Sequence, residues 1–264
     1  MLADPLALRI ASLVPSVTEL LVELGLRALL VARTGYCIHP AAALRHVPKV
    51  GGTKTVNLAK LARLAPTHVV VNVDENRRET VEAIQAFADP PRIVVTHPSS
   101  PEDNLALVQQ MRAEFGTVAG VAERAAALCH SLQTELDLTR PEGRPVRRVL
   151  YLIWRDPWMT VARDTYVSRL LARVGWQTLP ALEGGPHGAA RYPVLAGSEP
   201  WLAEVDLVLL SSEPYAFSEL HFDLGRALCP RARVRLVDGE LLSWYGARAV
   251  AGLRYLRGLA DDEL

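Results

Sequence analysis

The chain has few aromatic residues, no excess of either charge and no long apolar run. Phe, Trp and Tyr make up 6% of the sequence, and 29 Lys and Arg balance 29 Asp and Glu. A neutral chain lacks the basic field that nucleic-acid-binding proteins use, so we expect no nucleic-acid partner. No uninterrupted apolar stretch reaches the length needed to cross a bilayer.

Cysteines are also few, and the start of the chain has no targeting pattern. Cys37, Cys129 and Cys229 form no CxxC pair, and three thiols cannot all pair within one chain, so we expect reduced cysteines. The first residues contain neither a positive n-region nor an apolar h-region. We therefore expect a cytoplasmic location for the chain as written. A periplasmic location is the alternative if a signal segment has been removed.

The common motifs of catalysis are missing. HExxH, GxSxG and GxGxxG do not occur, and Gly51-Gly-Thr-Lys-Thr55 lacks the spacing of a phosphate-binding loop. We therefore expect that the protein is not an enzyme. The seven histidines are scattered. His39 follows a predicted strand, where a neutral imidazole is suited to an axial position on a bound metal complex.

Short apolar runs alternate with helical patterns in both halves of the chain. Between them, residues 101–138 show only helical spacing, and a long helix is predicted from about Thr117. This order predicts an α/β protein with two lobes of mainly parallel sheets flanked by helices. The predicted segments are an N-terminal lobe at 1–115, a connecting long helix at 116–146, and a C-terminal lobe at 147–264.

Two helix starts carry capping signals. Ser16, with Glu19 three residues later, predicts a capping box at the first helix. Asn57 predicts the N-cap of a later helix that carries Leu58, Leu61 and Leu64.

The aromatic residues are concentrated in the loops that follow predicted strands, where open α/β sheets bind their ligands. This placement predicts a cleft for a large, flat or apolar ligand, with polar groups that orient it. In the alternative, Trp154 packs in a lobe core and Arg155 pairs with Asp156. The predicted ligand-binding residues are His39, Lys54, Trp154, Arg155, Trp158, Tyr192, Glu213, Tyr215, Trp244 and Arg248.

Three motifs together resemble a known family. They are Arg9-Ile-Ala-Ser-Leu-Val-Pro-Ser-Val-Thr-Glu-Leu20, then Val50-Gly-Gly followed by Asn57-Leu, then Ala65-Pro-Thr-His-Val-Val-Val71. They resemble the helical-backbone class of ABC-importer substrate-binding proteins, which includes receptors for cobalamin, haem and ferric siderophores. The resemblance covers nearly the whole chain, and it implies that the long middle helix joins the lobes rigidly.

The resemblance also implies positions for ligand and transporter contacts. Cobalamin receptors place contacts at positions matching His39, Thr53, Asn72, Trp158, Tyr192 and Glu240. Lys54, Arg155, Arg191 and Arg248 add cationic groups, which make an anionic ligand or chelate plausible. Glu199 matches one of two glutamates that dock on the permease. The other position falls on Ala59, beside Lys60.

Our hypothesis from the sequence is a monomeric binding protein with no intrinsic cofactor. It captures a corrinoid first, with haem or a ferric chelate next, in the cleft between the lobes, and an ABC permease is its implied partner. Two alternatives remain: a cytoplasmic carrier or sensor of such a ligand, and an enzyme acting on it with Glu213 or Asp74 as acid or base.

Overall fold

The computed structural model describes residues 8–263, and the chain forms two compact α/β units. Neither unit is one continuous segment. The first contains the residues up to His97, Leu105–His130 and Tyr245–Ala247, and the second contains Pro98–Asn104, Ser131–Trp244 and the residues from Arg248 onward. The division at residues 115 and 146 that the sequence suggests stays a prediction.

The first unit is built on a four-stranded parallel sheet with the order β2-β1-β3-β4. Its inner strands are nearly continuous apolar runs, as parallel strands covered on both faces require. In β3, for example, Val69, Val70 and Val71 are all buried. The strands are β1 (Ile10–Ser12), β2 (Leu30–Arg33), β3 (His68–Asn72) and β4 (Arg92–Thr96).

Helices cover this sheet, and their starts test the two capping predictions. Asn57 is the predicted N-cap, and its Oδ1 accepts a hydrogen bond from the Lys60 amide at 2.9 Å. The capping box at Ser16 is wrong. Val14 occupies the N-cap position and Pro15 begins the helix, because the fixed φ of proline suits the first helical residue. The helices are α1 (Pro15–Glu23), α2 (Ala41–Leu44), α3 (Leu58–Arg63) and α4 (Arg78–Gln85).

Two longer helices follow, α5 (Asp103–Phe115) and α6 (Val121–Leu138). Residues of both helices fall in both units. The long helix predicted from about Thr117 is therefore present, although it begins four residues later, at Val121.

The second unit has its own four-stranded parallel sheet, with the order β10-β9-β5-β7, and a small antiparallel pair, β6-β8. Its first strand ends at Leu152, so Trp154 lies beyond it and makes only an isolated bridge to Met159. The strands are β5 (Arg147–Leu152), β6 (Trp158–Met159), β7 (Trp176–Thr178), β8 (Val194–Leu195), β9 (Leu207–Ser211) and β10 (Arg233–Val237).

The last two helices of the second unit make a close backbone contact. Gly252 of α10 faces the carbonyl oxygen of Leu241 in α9, and a Cβ at position 252 would overlap that oxygen. The helices are α7 (Tyr166–Ala172), α8 (Phe222–Leu228), α9 (Gly239–Ser243) and α10 (Ala249–Asp261).

The predicted fold class is confirmed: the chain is an α/β protein with two parallel sheets flanked by helices. Among residues 8–263, no helix combines the length and the apolar character that a membrane span requires.

Candidate functional site

In the first unit, the loop after β2 presents apolar side chains at the carboxyl end of the sheet. The side chains of Tyr36 and Ile38 are 65% and 48% exposed, and the predicted ligand residue His39 is half-buried beside them. Large exposed apolar groups in such a loop are typical of a ligand-binding surface. Tyr36 and Ile38 were not predicted, although both lie in the same loop as the predicted His39.

A buried arginine fixes the path of this loop. The Arg33 guanidinium donates to the carbonyl oxygens of Cys37 at 2.8 Å and Leu44 at 3.2 Å. The Cys37 thiol is itself buried, 3.1 Å from the Thr34 hydroxyl. These bonds satisfy loop carbonyls that would otherwise be costly to bury, so the backbone that carries His39 is held from inside.

Lys54 and Asp74 also lie at this end of the first sheet. The Lys54 ammonium donates to the Asp74 carbonyl oxygen at 2.5 Å, and the Asp74 carboxylate lies 3.3 Å from Nε2 of His97. Lys54 therefore sits at the predicted face, with one donor already used by the protein. Within residues 8–263, no group of three His, Cys, Asp or Glu residues could hold a metal ion.

In the second unit, five rings form what we call the aromatic cluster. Trp154 is 40% exposed and meets Tyr215 edge-on at 5.7 Å between ring centroids, while Trp158 stacks on Phe217 at 6.2 Å. Tyr215 packs on Phe217 at 4.7 Å, and His221 packs against both. The alternative in which Trp154 packs in the core is wrong, because β5 ends before it.

The sequence missed two members of the aromatic cluster. Phe217 and His221 lie in the same loop as the predicted Tyr215. The Ser218 amide donates to Nδ1 of His221 at 3.0 Å, and Nε2 lies 3.3 Å from the Tyr215 hydroxyl. The available signal was the spacing of Tyr215 and Phe217, which places two rings two residues apart in a loop after a strand.

A second set of contacts surrounds Trp244. Glu213 accepts hydrogen bonds from the Trp244 indole at 2.7 Å and the Ser243 hydroxyl at 3.0 Å. Burial raises the pKa of Glu213, although these two hydrogen bonds act in the opposite direction. On the other side, the Arg248 guanidinium lies 4.7 Å from the Trp244 ring centroid and pairs with Glu240. Three predicted residues, Glu213, Trp244 and Arg248, are thus brought together.

The remaining cationic candidates are engaged with the protein. Arg155 pairs with Asp156 at 3.5 Å, as the alternative from the sequence had it. Arg191 is buried at 2% exposure, donates to the Gly185 carbonyl at 2.8 Å and lies 3.7 Å from the Asp164 carboxylate. Its expected role as an added ligand cation is therefore wrong, because its guanidinium stabilises the loop that contains Gly184, Gly185 and Gly188. Tyr192 follows it and is half-buried.

Glu199, the implied docking residue, is used by its own loop. Its carboxylate accepts hydrogen bonds from the amides of Ala196 at 2.6 Å and Gly197 at 2.9 Å. Burial raises the pKa of this carboxyl, but the bonds from neighbouring amides outweigh burial and lower it. A role in docking stays a prediction.

Two parallel-sheet units with aromatic and polar side chains at their strand ends define the class: an α/β ligand-binding protein. The family model for periplasmic binding proteins matches residues 10–210, and the chain belongs to this family. The resemblance inferred from the sequence motifs is thereby confirmed. A search of curated proteins found no match.

Solved structures share the fold over nearly the whole chain. The periplasmic vitamin B12 binding protein BtuF of Vibrio cholerae is similar, with a TM-score of 0.78, 17% identity and 96% of each chain covered. The periplasmic heme-binding protein RhuT from Roseiflexus sp. RS-1 has a TM-score of 0.76 and 19% identity, covering 98% of this chain and 100% of that one. A periplasmic heme binding protein from Pseudomonas aeruginosa has a TM-score of 0.75 and 22% identity, covering 96% and 92%.

Proposed function

We propose that this chain is a substrate-binding protein for a metal-bearing cofactor or chelate, with a corrinoid as the first candidate and haem or a ferric chelate next. The aromatic cluster of the second unit is the observation that carries the proposal. The family consists of binding proteins, and similar structures are described as binding vitamin B12 or heme. The capture of the ligand between two lobes stays a prediction from the sequence.

The rings of the aromatic cluster are held in place before any ligand arrives. Trp158 is fixed by its stack on Phe217, and Trp154 meets Tyr215 while leaving 40% of its surface exposed. A flat ligand that covers Trp154 therefore gains apolar burial without ordering a mobile side chain. Covering one such ring contributes on the order of 1–3 kcal/mol.

The charges of the second unit favour a ligand with neutral polar groups over a strongly anionic one. Arg248 is paired with Glu240, and Arg155 is paired with Asp156. Ligand carboxylates would have to displace these protein carboxylates to bind the arginines. A corrinoid carries amide side chains, which accept and donate hydrogen bonds without that competition, so these pairs support the corrinoid as first candidate.

The contacts of Glu213 help to distinguish a binding protein from an enzyme. Glu213 is the best acid or base candidate, but its carboxylate orients Trp244 and Ser243. We therefore favour a binding protein over an enzyme. The periplasmic description of the family supports the periplasmic alternative for its location, and an ABC permease is the partner that this function implies.

Ligand titration of tryptophan variants tests the proposal. Cobalamin, haem and a ferric siderophore are titrated into wild type, Trp154→Ala and Trp158→Ala, with binding followed by absorbance. We expect wild type to bind one of them and both variants to weaken its Kd by about tenfold or more. Val146→Ala is the control, because Val146 is exposed just before β5, at the opposite end of that strand. Wild type that binds none, or variants that bind like wild type, would overturn the proposal.

A further inference from the structure

The charges of this neutral chain are unevenly distributed. Between Glu23 and Asp74 there is no Asp or Glu, whereas seven cationic side chains fall in that stretch. The whole stretch belongs to the first unit. The seven residues are Arg27, Arg33, Arg45, Lys49, Lys54, Lys60 and Arg63.

One of the seven, Arg33, is buried, Lys54 belongs to the predicted ligand-binding residues, and the other five are exposed or half-buried. Arg33 is buried against loop carbonyls, and Lys54 binds the Asp74 carbonyl oxygen. Arg27, Arg45, Lys49 and Arg63 are exposed, and Lys60 is half-buried. These five residues, Arg27, Arg45, Lys49, Lys60 and Arg63, are called the basic surface below.

The side chains of the basic surface make no ion pair with a described residue, whereas many arginines later in the chain do. Within residues 8–263, none of its five side chains lies within ion-pairing distance of a carboxylate. Arginines from Arg78 onward are often paired, for example Arg92 with Glu114 and Arg173 with Glu102 at 2.7 Å. Uncompensated cations in one region repel each other, so this arrangement has a cost that an anionic partner would relieve.

Contacts within the first unit connect the segments that carry these residues. Arg27 donates to the Ala43 carbonyl oxygen of α2, and Arg45 follows that helix directly. The backbone of Lys49 lies beside the edge strand β2 and forms an isolated parallel bridge with Arg33. Lys60 and Arg63 are one turn apart on α3. The amide of its N-cap residue, Asn57, donates to the Val50 carbonyl oxygen, next to Lys49.

We propose that the basic surface docks an acidic segment of a partner protein. A membrane surface fits less well, because peripheral membrane helices combine cations with large apolar side chains. The exposed apolar residues of α2 and α3 are small, namely Ala41, Ala42, Ala59 and Ala62. The unpaired cations of the basic surface attract an acidic partner and repel basic ones.

Binding of an oligoglutamate peptide tests the basic surface directly. The probe is titrated into the full chain by fluorescence anisotropy at low salt and at about 0.15 M salt, where screening is short-ranged. The test variants are Arg45→Glu with Lys49→Glu, and Lys60→Glu with Arg63→Glu. We expect each double variant to weaken binding by about tenfold, since each reverses two local charges.

A matched variant separates local charge from net charge. Arg112→Glu with Arg231→Glu makes the same change in net charge at exposed positions outside the basic surface, and we expect less than about a twofold effect. Equal weakening by this control, or no oligoglutamate binding, would refute the proposal, as would binding to phosphatidylglycerol vesicles alone. Ligand titrations of the same variants should match wild type, so failure of this proposal is distinguishable from failure of the ligand proposal.

Discussion

At the scale of single residues, Glu213 shows how a buried carboxylate positions an aromatic side chain. Because burial raises its pKa, its contribution to stability is fully present below the unfolded pKa of about 4.3 and is lost as pH rises through the folded value. Gln at this position keeps an acceptor for Trp244 and does not titrate. We expect Glu213→Gln to gain unfolding free energy relative to wild type as pH rises from about 4 to 7.

Guanidinium unfolding followed by circular dichroism at several pH values measures this effect. Glu219→Gln changes an exposed glutamate in the same unit and serves as the control. If the difference in unfolding free energy between wild type and Glu213→Gln stays constant with pH, the role assigned to burial is contradicted.

The three thiols differ in accessibility. Cys37 and Cys229 are fully buried, and burial raises the pKa of Cys229 to about 12, whereas Cys129 is only half-buried. The thiolate is the reactive form, so we expect Ellman's reagent to modify Cys129 first and the other two only after denaturant is added. Cys129→Ser should remove the fast phase. A fast phase that persists in this variant would show that a buried thiol is reached by opening of the fold.

The types and positions of residues in the sequence predicted only part of the candidate site. Trp154, Trp158 and Tyr215 were identifiable because each follows, within a few residues, the end of the apolar strand β5 or β9. Phe217 and His221 were missed because their contacts depend on how the loop after β9 folds back onto Tyr215. Arg191 was misjudged because burial by the glycine-rich loop is a property of the folded chain.

At the scale of elements, α10 carries two glycines with opposite roles. A Cβ at Gly252 would overlap the Leu241 carbonyl oxygen of α9, whereas a Cβ at Gly258 has no neighbour within 4 Å. We expect Gly252→Ala to destabilise the protein by about 1–3 kcal/mol through overpacking. Gly258→Ala should stabilise it by about 0.5–1 kcal/mol, because alanine favours the helix. Thermal unfolding of both variants measures the difference. Equal effects would mean that α9 and α10 are not in close contact.

Elements defined by long apolar patterns were predicted better than short ones. The inner strands β3 and β9 and the long helix α6 follow from sequence because their burial leaves a strong pattern. The edge strand β7 is harder to predict, since its three residues carry too little pattern to distinguish a strand from a loop. The Ser16 cap failed because Pro15 competes with it for the start of α1.

At the scale of the whole molecule, a residue near the end of the chain stabilises the first unit. The Tyr245 hydroxyl donates to the Glu75 carboxylate at 2.7 Å, and both residues belong to that unit. We expect Tyr245→Phe to lower stability by about 1–3 kcal/mol, with faster hydrogen exchange in α1 and β1.

Tyr255→Phe is the matched control, because the Tyr255 hydroxyl accepts a hydrogen bond from the Asp238 amide in the second unit. Its effect on exchange should fall in β10 and α9. Exchange that rises in β9 and β10 for Tyr245→Phe would contradict the assignment of that residue to the first unit.

The two parallel sheets were predictable from sequence, but the division of the chain between the units was not. Alternation of strands and helices reports which residues pair locally. It contains no signal that Tyr245–Ala247 completes the first unit, because that assignment depends on packing such as that of Gly246 against Leu20.

The position of Tyr245–Ala247 has a consequence for how the protein is made. The first unit cannot be complete until these residues leave the ribosome, and most of the second unit, apart from the segment with α10, is synthesised before them. At about 5–20 residues per second, the strands of the first sheet wait on the order of ten seconds for their last neighbours. During that interval, the nascent chain exposes the surface around Leu20 that Gly246 later covers. The order of the sequence therefore makes this surface one of the last parts of the first unit to be covered during synthesis.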